Sequence, residues 1–468
     1  MSSPYDLAIV GAGDVGAAIA RELARFDLSI ALIDRGDVGA GTSKANTAIL
    51  HTGFDSKPGT LEARLVARGH DLLLAYAQDA GIPLEQTGAL LVAWTQEQLA
   101  RLPEIEQNAR ANGYSATRHV PASELYRREP HLGAGALGAL EVPGEFIICP
   151  WTAPLAWATQ AHMAGVSVLR GVLVTCLERI DTGWRLLSSA GPIHARWVIN
   201  AAGLYSDAVH AMAGLDGFTI TPRRGELLVF DKLSRPLVSH VLLPVPTGRT
   251  KGVLIAPTVY GNVMLGPTAE DVPDREDRSS TGQGIDGLLA LGARIMPELL
   301  AHDVTAVYAG LRAATEHTDY QLQVHRDISY VCAGGIRSTG LTGAMGIAEW
   351  VRDGLEAAGL ELRATPGGLP DVRMPAIGQA QQRPFQDAGL IAADDSYGDV
   401  VCFCERVTRG EIRDAALSPL PPTDLDGLRR RTRVLMGRCQ GFYCGARVAR
   451  ELALHTGVSA DQLRETPS

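Results

Sequence analysis

Long apolar runs are missing from this sequence: no stretch of 18 or more apolar residues is free of charge, so no membrane-spanning helix is predicted. The chain does not start with a basic segment followed by an apolar one, so we expect no export signal and a cytoplasmic protein, with peripheral membrane contact left open. Excess positive charge is also missing. The net charge is −9 over 468 residues, which argues against non-specific binding of nucleic acid. Hydrophobic residues make up 46% of the chain, enough for a substantial core and two or three domains.

Cysteine is scarce and unevenly placed. Three cysteines stand singly in apolar stretches and are predicted to be buried thiols: Cys149, Cys176 and Cys332. The other four lie near the C-terminus: Cys402, Cys404, Cys439 and Cys444. In a chain without an export signal, this clustering favours a metal site over disulfides.

The first 34 residues carry the pattern of a dinucleotide-binding unit. Residues 5–10 predict a strand, Gly11-Ala12-Gly13-Asp14-Val15-Gly16 a tight turn, and residues 17–26 a helix. The first two glycines of the turn allow the backbone to approach a pyrophosphate, and the third allows helix and strand to pack closely. A second predicted strand, residues 29–33, ends at Asp34, a carboxylate placed to accept a hydrogen bond from an adenosine ribose.

Further bends rich in small residues follow, at residues 39–46, 200–203 and 334–344. Such bends present backbone N–H groups to an anion. Their repetition along the chain suits a long cofactor that is held by backbone along its whole length. His51 stands just beyond the first of them, where a buried histidine with satisfied hydrogen bonds and a functional one are both open interpretations.

Periodicity predicts the remaining elements. Helices are predicted at residues 61–80, 96–112 and 151–164, and short strands at residues 89–94, 166–169, 172–180, 184–188, 194–199 and 227–230. A hairpin is predicted around Gly261-Asn262, and strands at residues 309–314 and 330–333. Residues 364–395 are assigned to an interdomain linker because their first twenty residues are rich in Pro and Gly.

Several motifs stand together along the first 360 residues. They are the glycine-rich turn, residues 41–53 (Gly-Thr-Ser-Lys-Ala-Asn-Thr-Ala-Ile-Leu-His-Thr-Gly), Pro58-Gly59-Thr60-Leu61, Pro222-Arg223-Arg224-Gly225-Glu226 and Gly310-Leu311-Arg312. This combination resembles FAD-dependent oxidoreductases of the D-amino-acid-oxidase superfamily. Within it, the chain is similar to the branch of glycerol-3-phosphate dehydrogenases and oxidases and L-2-hydroxyglutarate dehydrogenases.

The resemblance implies an α/β fold with two interleaved domains in residues 1–363. A Rossmann-type FAD-binding domain is expected at roughly 1–85, 145–215 and 325–363. An α+β substrate domain on an antiparallel sheet is expected at roughly 86–144 and 216–324.

The same resemblance implies the chemistry and its residues. FAD takes a hydride from a carbon that bears a hydroxyl, while a base removes the hydroxyl proton, a role implied for His51. Lys251 and Arg312 match positions where this branch places cations beside the substrate, although a surface lysine beside a turn is the alternative for Lys251. Arg337 and Tyr260 are further candidates. Cofactor contacts are expected at Gly11, Gly13, Gly16, Asp34, Arg35, Thr42, Ser43, Lys44, Val174, Ala201, Gly203, Gly340, Leu341 and Thr342.

The last 70 residues carry a second resemblance. Cys402-x-Cys404-Glu405-Arg406 and Arg438-Cys439-Gln440-Gly441-Phe442-Tyr443-Cys444 look like the bacterioferritin-associated-ferredoxin-type [2Fe-2S] domain. A small, mainly helical domain is therefore expected at residues 396–468, with the four cysteines as ligands. A four-cysteine zinc site is the competing interpretation. The arginines at 429–431, 433 and 438 predict a solvated basic face, which would also offset the charge of a cluster.

Together these features predict an FAD-dependent dehydrogenase that oxidises a small anionic secondary alcohol. The preferred reaction is oxidation of sn-glycerol 3-phosphate to dihydroxyacetone phosphate, with electrons passing through the cluster to a quinone or partner protein. The alternatives are a 2-hydroxy-acid dehydrogenase of the L-2-hydroxyglutarate type, a hydroxyproline or amine dehydrogenase, and a catalytically silent electron-transfer subunit. For the last domain alone, a docking or regulatory metal module is a further alternative. The oligomeric state is left open.

Overall fold

The computed structural model describes residues 4–246 and 252–465, so the predicted cation Lys251 lies outside the described residues. The helices are α1 (Asp14–Leu23), α2 (Leu61–Ala80), α3 (Gln96–Ala111), α4 (Ala122–Arg128), α5 (Thr152–Met163), α6 (Ser206–Met212), α7 (Gly282–Ile295), α8 (Gly340–Ala357), α9 (Ala388–Ala393), α10 (Arg409–Ala416), α11 (Leu425–Thr432), α12 (Gly445–Thr456) and α13 (Ala460–Glu465).

The strands are β1 (Tyr5–Val10), β2 (Ile30–Asp34), β3 (Ile49–Leu50), β4 (Leu84–Gln86), β5 (Ala89–Ala93), β6 (Arg118–Pro121), β7 (Gly138–Val142), β8 (Phe146–Ile148), β9 (Ser167–Arg170), β10 (Val174–Ile180), β11 (Gly183–Ser188), β12 (Ile193–Asn200), β13 (Thr221–Phe230), β14 (Val241–Pro244), β15 (Leu254–Pro257), β16 (Val263–Gly266), β17 (Glu270–Asp271), β18 (Val304–Ala314), β19 (Gln321–His325), β20 (Tyr330–Gly334), β21 (Val400–Cys402) and β22 (Val407–Thr408).

An eight-stranded sheet forms the first layer. Its order is β10-β11-β12-β1-β2-β9, with β20 paired to β12 and β19 to β20. The central pairs are parallel, and α1 packs against α5 and α8 on the sheet. Burial on both faces explains why β1 and β2 read as continuous apolar runs rather than as alternating ones. This arrangement confirms the Rossmann-type layer, and β19 spans the domain boundary predicted at residue 325.

A nine-stranded sheet forms the second layer. Its order is β17-β13-β16-β15-β14-β5-β7-β6, with β18 paired to β13. Most of its pairs are antiparallel, and β15 and β16 form the predicted hairpin, with Gly261 in the turn at φ +84°. The long pair β13 and β18 runs back towards the first sheet, so its ends lie beside the cofactor layer. The expected α+β substrate domain is therefore present in the fold.

Side chains at the helix ends explain several element bounds. Thr60 and Thr95 accept the N–H of the residue three positions on and so begin α2 and α3. Thr408 and Glu411 form a reciprocal capping box at the start of α10. Gly81 ends α2 in the left-handed conformation at φ +71°.

The segment predicted as a linker has little regular structure but is hydrogen-bonded to the Rossmann-type layer. The Thr365 N–H donates to the Arg25 carbonyl at 2.9 Å, and the Met374 N–H donates to the Ala80 carbonyl at 2.8 Å. The Gln379 N–H then reaches the Val259 carbonyl at 2.8 Å. These contacts fix the path of the chain to the C-terminal domain.

The C-terminal domain has a small core of its own. The hairpin β21–β22 and helices α10 to α13 bury Val401, Ile412, Leu428, Val448 and Leu452. This confirms the mainly helical domain that the second resemblance implied. Within the described ranges, no helix is long and apolar enough to cross a membrane.

The prediction of a solvated basic face formed by the arginines at 429–431, 433 and 438 is wrong for three of these arginines. Arg430 and Arg431 are buried and lie 3.4 and 2.7 Å from Asp37, a residue of the loop after β2. Arg433 is buried against Glu405 at 3.0 Å. Since Asp37 lies almost 400 positions earlier in the chain, nothing local in the sequence could indicate that these arginines face a carboxylate.

Candidate functional site

A cavity of about 1170 Å³ lies between the two sheets. It is bounded by the turn after β1, the loop after β2, the strand β18 and the N-terminus of α8. Glycine-rich backbone therefore lines one end, and the substrate domain closes the other.

The turn after β1 is shaped by two glycines. Gly11 has φ +109°, and a Cβ there would lie 2.3 Å from the Ala201 carbonyl oxygen. A Cβ on Gly16 would lie 1.8 Å from the Gly11 carbonyl oxygen. Any side chain at Gly16 would push α1 away from β1, as the predicted close packing of helix and strand requires. The backbone of Gly16 does not itself line the cavity.

Asp34 lies at the end of β2, as predicted. Its carboxylate accepts the N–H groups of Ala12 and Gly36, both at 2.7 Å, which fixes its orientation at the cavity wall. Burial raises the pKa of Asp34, and these backbone donors oppose that rise. Beside it, Arg35 pairs with Glu276 at 2.6 Å and lies over the Tyr205 ring.

Most of the other residues predicted to contact the cofactor also line the cavity. They are Gly13, Thr42, Ser43, Val174, Ala201, Gly203, Gly340, Leu341 and Thr342. Lys44 does not line it, because its Nζ lies 2.9 Å from Asp426 of the C-terminal domain. The cavity combines glycine-lined backbone, the N-termini of α1 and α8 and a fixed carboxylate, which are the groups that an adenine dinucleotide requires.

His51 enters the cavity just after β3. Its backbone N–H donates to Thr342 Oγ1 at 3.1 Å, and its ring Nδ1 lies 2.9 Å from Glu145 Oε2. Glu145 is fully buried and also accepts the N–H and the hydroxyl of Thr52, at 2.7 and 2.9 Å. Because a carboxylate only accepts, the ring proton belongs on Nδ1, and Nε2 is left as the acceptor.

Glu145 is a site residue that sequence reasoning missed. It lies in the turn between β7 and β8, 94 positions after His51, and no motif marks it. Asp14, in the glycine-rich turn after β1, is a second residue of the site that sequence reasoning missed. It is buried, its Oδ1 has no hydrogen-bond partner within the described structure, and burial raises its pKa to about 7.

Arg312 reaches the cavity from β18, opposite Arg223 of β13. Its guanidinium donates to the Thr268 carbonyl at 3.2 Å and forms no ion pair with any described residue. Burial, with a smaller contribution from Arg223, lowers the pKa of Arg312 to about 10. A desolvated cation without a carboxylate partner is an anion-binding group.

The two weaker candidates lie in different places. Arg337 lines the cavity and donates to the Thr318 carbonyl at 3.3 Å. Tyr260 does not line it; its hydroxyl donates to Cys149 Sγ at 2.7 Å, and its ring stacks on Trp151 with centroids 5.2 Å apart.

The four C-terminal cysteines are brought together. Cys404 lies close to Cys439, and Cys402 lies close to Cys444. The Cys439 sulfur faces the backbone N–H groups of residues 441–443, which suit an anionic thiolate. Within the described ranges, no three His, Cys, Asp or Glu side chains are grouped around a single metal ion. Four thiols with backbone donors fit the larger two-iron cluster.

The cysteine site faces the flavoprotein part through one charged cluster. Glu405, next to Cys404, is buried and accepts from Arg433 at 3.0 Å and from Lys232 at 3.1 Å. The Arg433 guanidinium lies 3.9 Å from the centre of the Tyr260 ring. Trp151, the stacking partner of Tyr260, donates its indole N–H to the Lys44 carbonyl at 3.0 Å, one residue from the cavity-lining Ala45.

Comparison with known proteins agrees with this geometry. The family model "FAD dependent oxidoreductase" (DAO) matches residues 6–353, and the model "BFD-like [2Fe-2S] binding domain" matches residues 400–453. A glycerol 3-phosphate dehydrogenase of Caloramator mitchellensis is 32% identical over 464 residues, 98% of this chain and 96% of the relative. An L-2-hydroxyglutarate dehydrogenase of Caenorhabditis elegans is 33% identical over 59% of this chain and 66% of the relative.

Among solved structures, the L-alpha-glycerophosphate oxidase of Mycoplasma pneumoniae with FAD bound superposes with a TM-score of 0.75 at 27% identity, over 80% of this chain and 99% of the other. FAD and a [2Fe-2S] cluster are therefore the cofactors, and the zinc alternative is set aside. The chain belongs to the DAO family of FAD-dependent oxidoreductases and carries a BFD-like [2Fe-2S] domain at its C-terminal end.

Proposed function

We propose that the protein oxidises sn-glycerol 3-phosphate to dihydroxyacetone phosphate. The observation that carries this proposal is the presence, in one cavity, of the His51–Glu145 pair and of the desolvated guanidinium of Arg312, which has no carboxylate partner among the described residues. The His51–Glu145 pair would supply a base for the hydroxyl proton, and Arg312 would supply a site for the phosphate. The similarity to glycerol 3-phosphate dehydrogenase and oxidase supports the same substrate.

In this proposal FAD supplies the hydride acceptor, and the residues of the chain do the rest. His51 takes the proton of the reacting hydroxyl at Nε2. Glu145 holds the ring orientation and stabilises the imidazolium that forms. Arg312 binds the substrate phosphate by two parallel N–H donors, with Lys251 proposed as a second cation. Withdrawal of the substrate from water strengthens both interactions.

We propose that the cofactor is held by the residues predicted from the sequence. The backbone at Gly11 and Gly13 and the N-terminus of α1 take the pyrophosphate, and Asp34 takes the adenosine ribose. The N-terminus of α8, residues 340–342, would hold the flavin ring end of the cofactor, where its positive dipole would favour negative charge.

The cluster provides an exit for single electrons, so the protein is proposed to work as a dehydrogenase that delivers electrons to a quinone or a partner protein. All seven cysteines are free of disulfides, which supports a cytoplasmic location.

The experiment is anaerobic bleaching of the flavin absorbance at a fixed concentration of each candidate substrate. sn-Glycerol 3-phosphate should bleach the flavin within the dead time of manual mixing. The enantiomeric phosphate, glycerol, L-2-hydroxyglutarate and hydroxyproline should be at least about 100-fold slower. Equal rates with glycerol would contradict the role of the phosphate.

A second candidate is oxidation of a 2-hydroxy acid, favoured by the 33% identity to an L-2-hydroxyglutarate dehydrogenase. Arg312 binds carboxylate as well as phosphate. Faster bleaching by L-2-hydroxyglutarate than by glycerol 3-phosphate would replace the first proposal with this one.

A further inference from the structure

Three aromatic side chains stand exposed around the cysteine site. Phe403, between two of the cysteines, is 73% exposed, and Phe442 and Tyr443, in the loop between the other two, are 85% and 79% exposed. The rings of Phe442 and Tyr443 contact each other edge to face at 5.3 Å. Covering three such side chains removes roughly 450–750 Å² from water, so their exposure around one site indicates a binding surface.

Arginines outnumber acids in the segments that carry these aromatics. The segments 402–406 and 438–451 contain four arginines and two acids: Glu405 is buried, and Glu451 lies 4.0 Å from Arg447. Arg438 and Arg447 are paired with Asp231 and Asp399, at 3.0 and 2.6 Å. The other two, Arg406 and Arg450, are exposed and form no ion pair with any described residue. This local excess of arginine contrasts with the net charge of −9 of the whole chain.

The cysteine site therefore has two different sides. Its inner side is the charged cluster of Glu405, Arg433 and Lys232, which contacts the flavoprotein part. Its outer side is the exit surface, which we define as the exposed Phe403, Phe442 and Tyr443 together with the exposed arginines of their flanking segments, Arg406 and Arg450. Exposed aromatic side chains together with charged residues are typical of a small transient protein interface.

We propose that the exit surface docks an acidic one-electron carrier protein. An acidic partner complements the two unpaired arginines, and the overall negative charge of this chain keeps such a partner away from other faces. The proposal rests on the proposed function for its electron source. Oxidation of one CH–OH group to C=O releases two electrons and two protons. Two carrier molecules are then reduced by one electron each, and the two protons pass to solvent.

The test uses the complete holoenzyme and rubredoxin, a small acidic one-electron iron protein, as the probe. The variants are the pair Arg406→Glu with Arg450→Glu and the pair Phe442→Ser with Tyr443→Ser. Matched controls are Arg326→Glu, an exposed arginine without an ion pair to any described residue, and Leu291→Ser, an exposed leucine of α7. The cluster signal in electron paramagnetic resonance should be unchanged in all four.

The charge-reversed pair should reduce rubredoxin about 10- to 100-fold more slowly at low salt, and the difference should vanish near about 0.5 M salt. The aromatic pair should lose about tenfold at any salt concentration. Rubredoxin reduction at the wild-type rate by both pairs would overturn the proposal. The proposal would also be overturned if the only effect of the changes were the loss of a dimer that the wild type forms, or the loss of wild-type binding to anionic vesicles.

Holoenzyme reduced with a stoichiometric amount of dithionite separates the two proposals. If glycerol 3-phosphate fails to bleach the flavin, but dithionite-reduced wild type still reduces rubredoxin faster than the variants do, only the proposed function fails. If bleaching is normal and the variants reduce rubredoxin at the wild-type rate, only the docking proposal fails.

Discussion

The ring Nδ1 of His51 lies 2.9 Å from Oε2 of Glu145, a side chain with no exposed area. A buried carboxylate that receives three hydrogen bonds holds both the tautomer and the angle of the imidazole. This pair, rather than the histidine alone, fixes the ring of a histidine that lines the cavity.

Glu145→Gln should slow flavin bleaching by substrate about 10²- to 10⁴-fold. Glutamine keeps an oxygen for Thr52, so the fold survives, but it presents an N–H to Nδ1 and forces the ring proton onto Nε2. Stopped-flow absorbance under anaerobic conditions measures the rate. Glu141→Gln, which removes a carboxylate from partly buried ion pairs on β7 that lie outside the cavity, is the control and should stay within about threefold of wild type.

Arg312→Met should lower kcat/KM for glycerol 3-phosphate by roughly 2–4 kcal/mol, about 30- to 1000-fold, because a desolvated charge pair is lost. Arg312→Lys should recover part of the lost kcat/KM, since lysine restores the positive charge but not the second parallel N–H donor of the guanidinium. Steady-state kinetics with glycerol, which lacks the phosphate, should differ little between Arg312→Met and wild type. An equal loss with glycerol would mean that the variant disturbs the cavity rather than anion binding. Arg196→Met, on the exposed end of β12, is the remote control.

Local patterns made the geometry of the glycine-rich end of the cavity predictable. The strand, the turn and the acid at the end of β2 lie within 30 residues, and hydrogen bonds to that acid set their geometry. The sequence placed α1 three residues too late, because the helix starts inside the glycine turn at Asp14 rather than after it. For the same reason Asp14 was taken as a loop residue and not as part of the site.

The substrate end and the domain contact could not be predicted in the same way. Glu145 meets His51 only because β8 pairs with β3, and Asp37 meets Arg431 only because the C-terminal domain packs on the loop after β2. Single-sequence periodicity carries no information about such pairings over long separations. The arginine run was therefore read as solvated, although the partner of Arg431 is a buried carboxylate.

Asp14→Asn should remove a pH dependence of FAD binding. Burial raises the pKa of Asp14 to about 7, and a diphosphate bound at the same turn raises it further, so binding takes up a proton. Wild-type affinity for FAD should therefore fall by up to about tenfold per pH unit above pH 7, whereas the Asp14→Asn variant should show a flat profile. Fluorescence titration of the apoprotein with FAD at several pH values measures the affinity. If the affinities of wild type and Asp14→Asn change with pH in the same way, Asp14 is not the source of the pH dependence.

Asp37→Ala should loosen the C-terminal domain. Burial by itself raises the pKa of Asp37, but Arg431 and Arg430 outweigh it and hold that pKa below its usual value. Removing one partner of a buried ion pair costs roughly 3–5 kcal/mol, because Arg431 loses its carboxylate partner while Arg430 keeps only Asp426 among the described residues. Since the folded pKa is lowered, this stabilisation is present above about pH 4 and is lost as the pH falls through the lowered value.

The Asp37→Ala change is measured by limited proteolysis within residues 364–395 and by the melting temperature. Faster cleavage there and a melting temperature lower by several degrees are expected. Asp327→Ala, an exposed aspartate without an ion pair to any described residue, should show neither. Unchanged cleavage in Asp37→Ala would mean that the domain is held by its other contacts, such as Lys44–Asp426.

Cys404→Ser should separate the two halves of the reaction. Cys404 contacts Cys439, lies beside Glu405 and does not line the cavity that holds His51, so bleaching of the flavin by substrate should keep its wild-type rate. Reoxidation of the reduced enzyme by a one-electron acceptor should fall at least about tenfold, because loss of one thiolate disturbs the cluster that is proposed to carry single electrons. Cys176→Ser, a lone cysteine on β10, should leave both rates and the cluster signal in electron paramagnetic resonance unchanged. Wild-type reoxidation by the Cys404→Ser protein, with its cluster signal lost, would show that electrons leave directly from the flavin and that the C-terminal domain has another role.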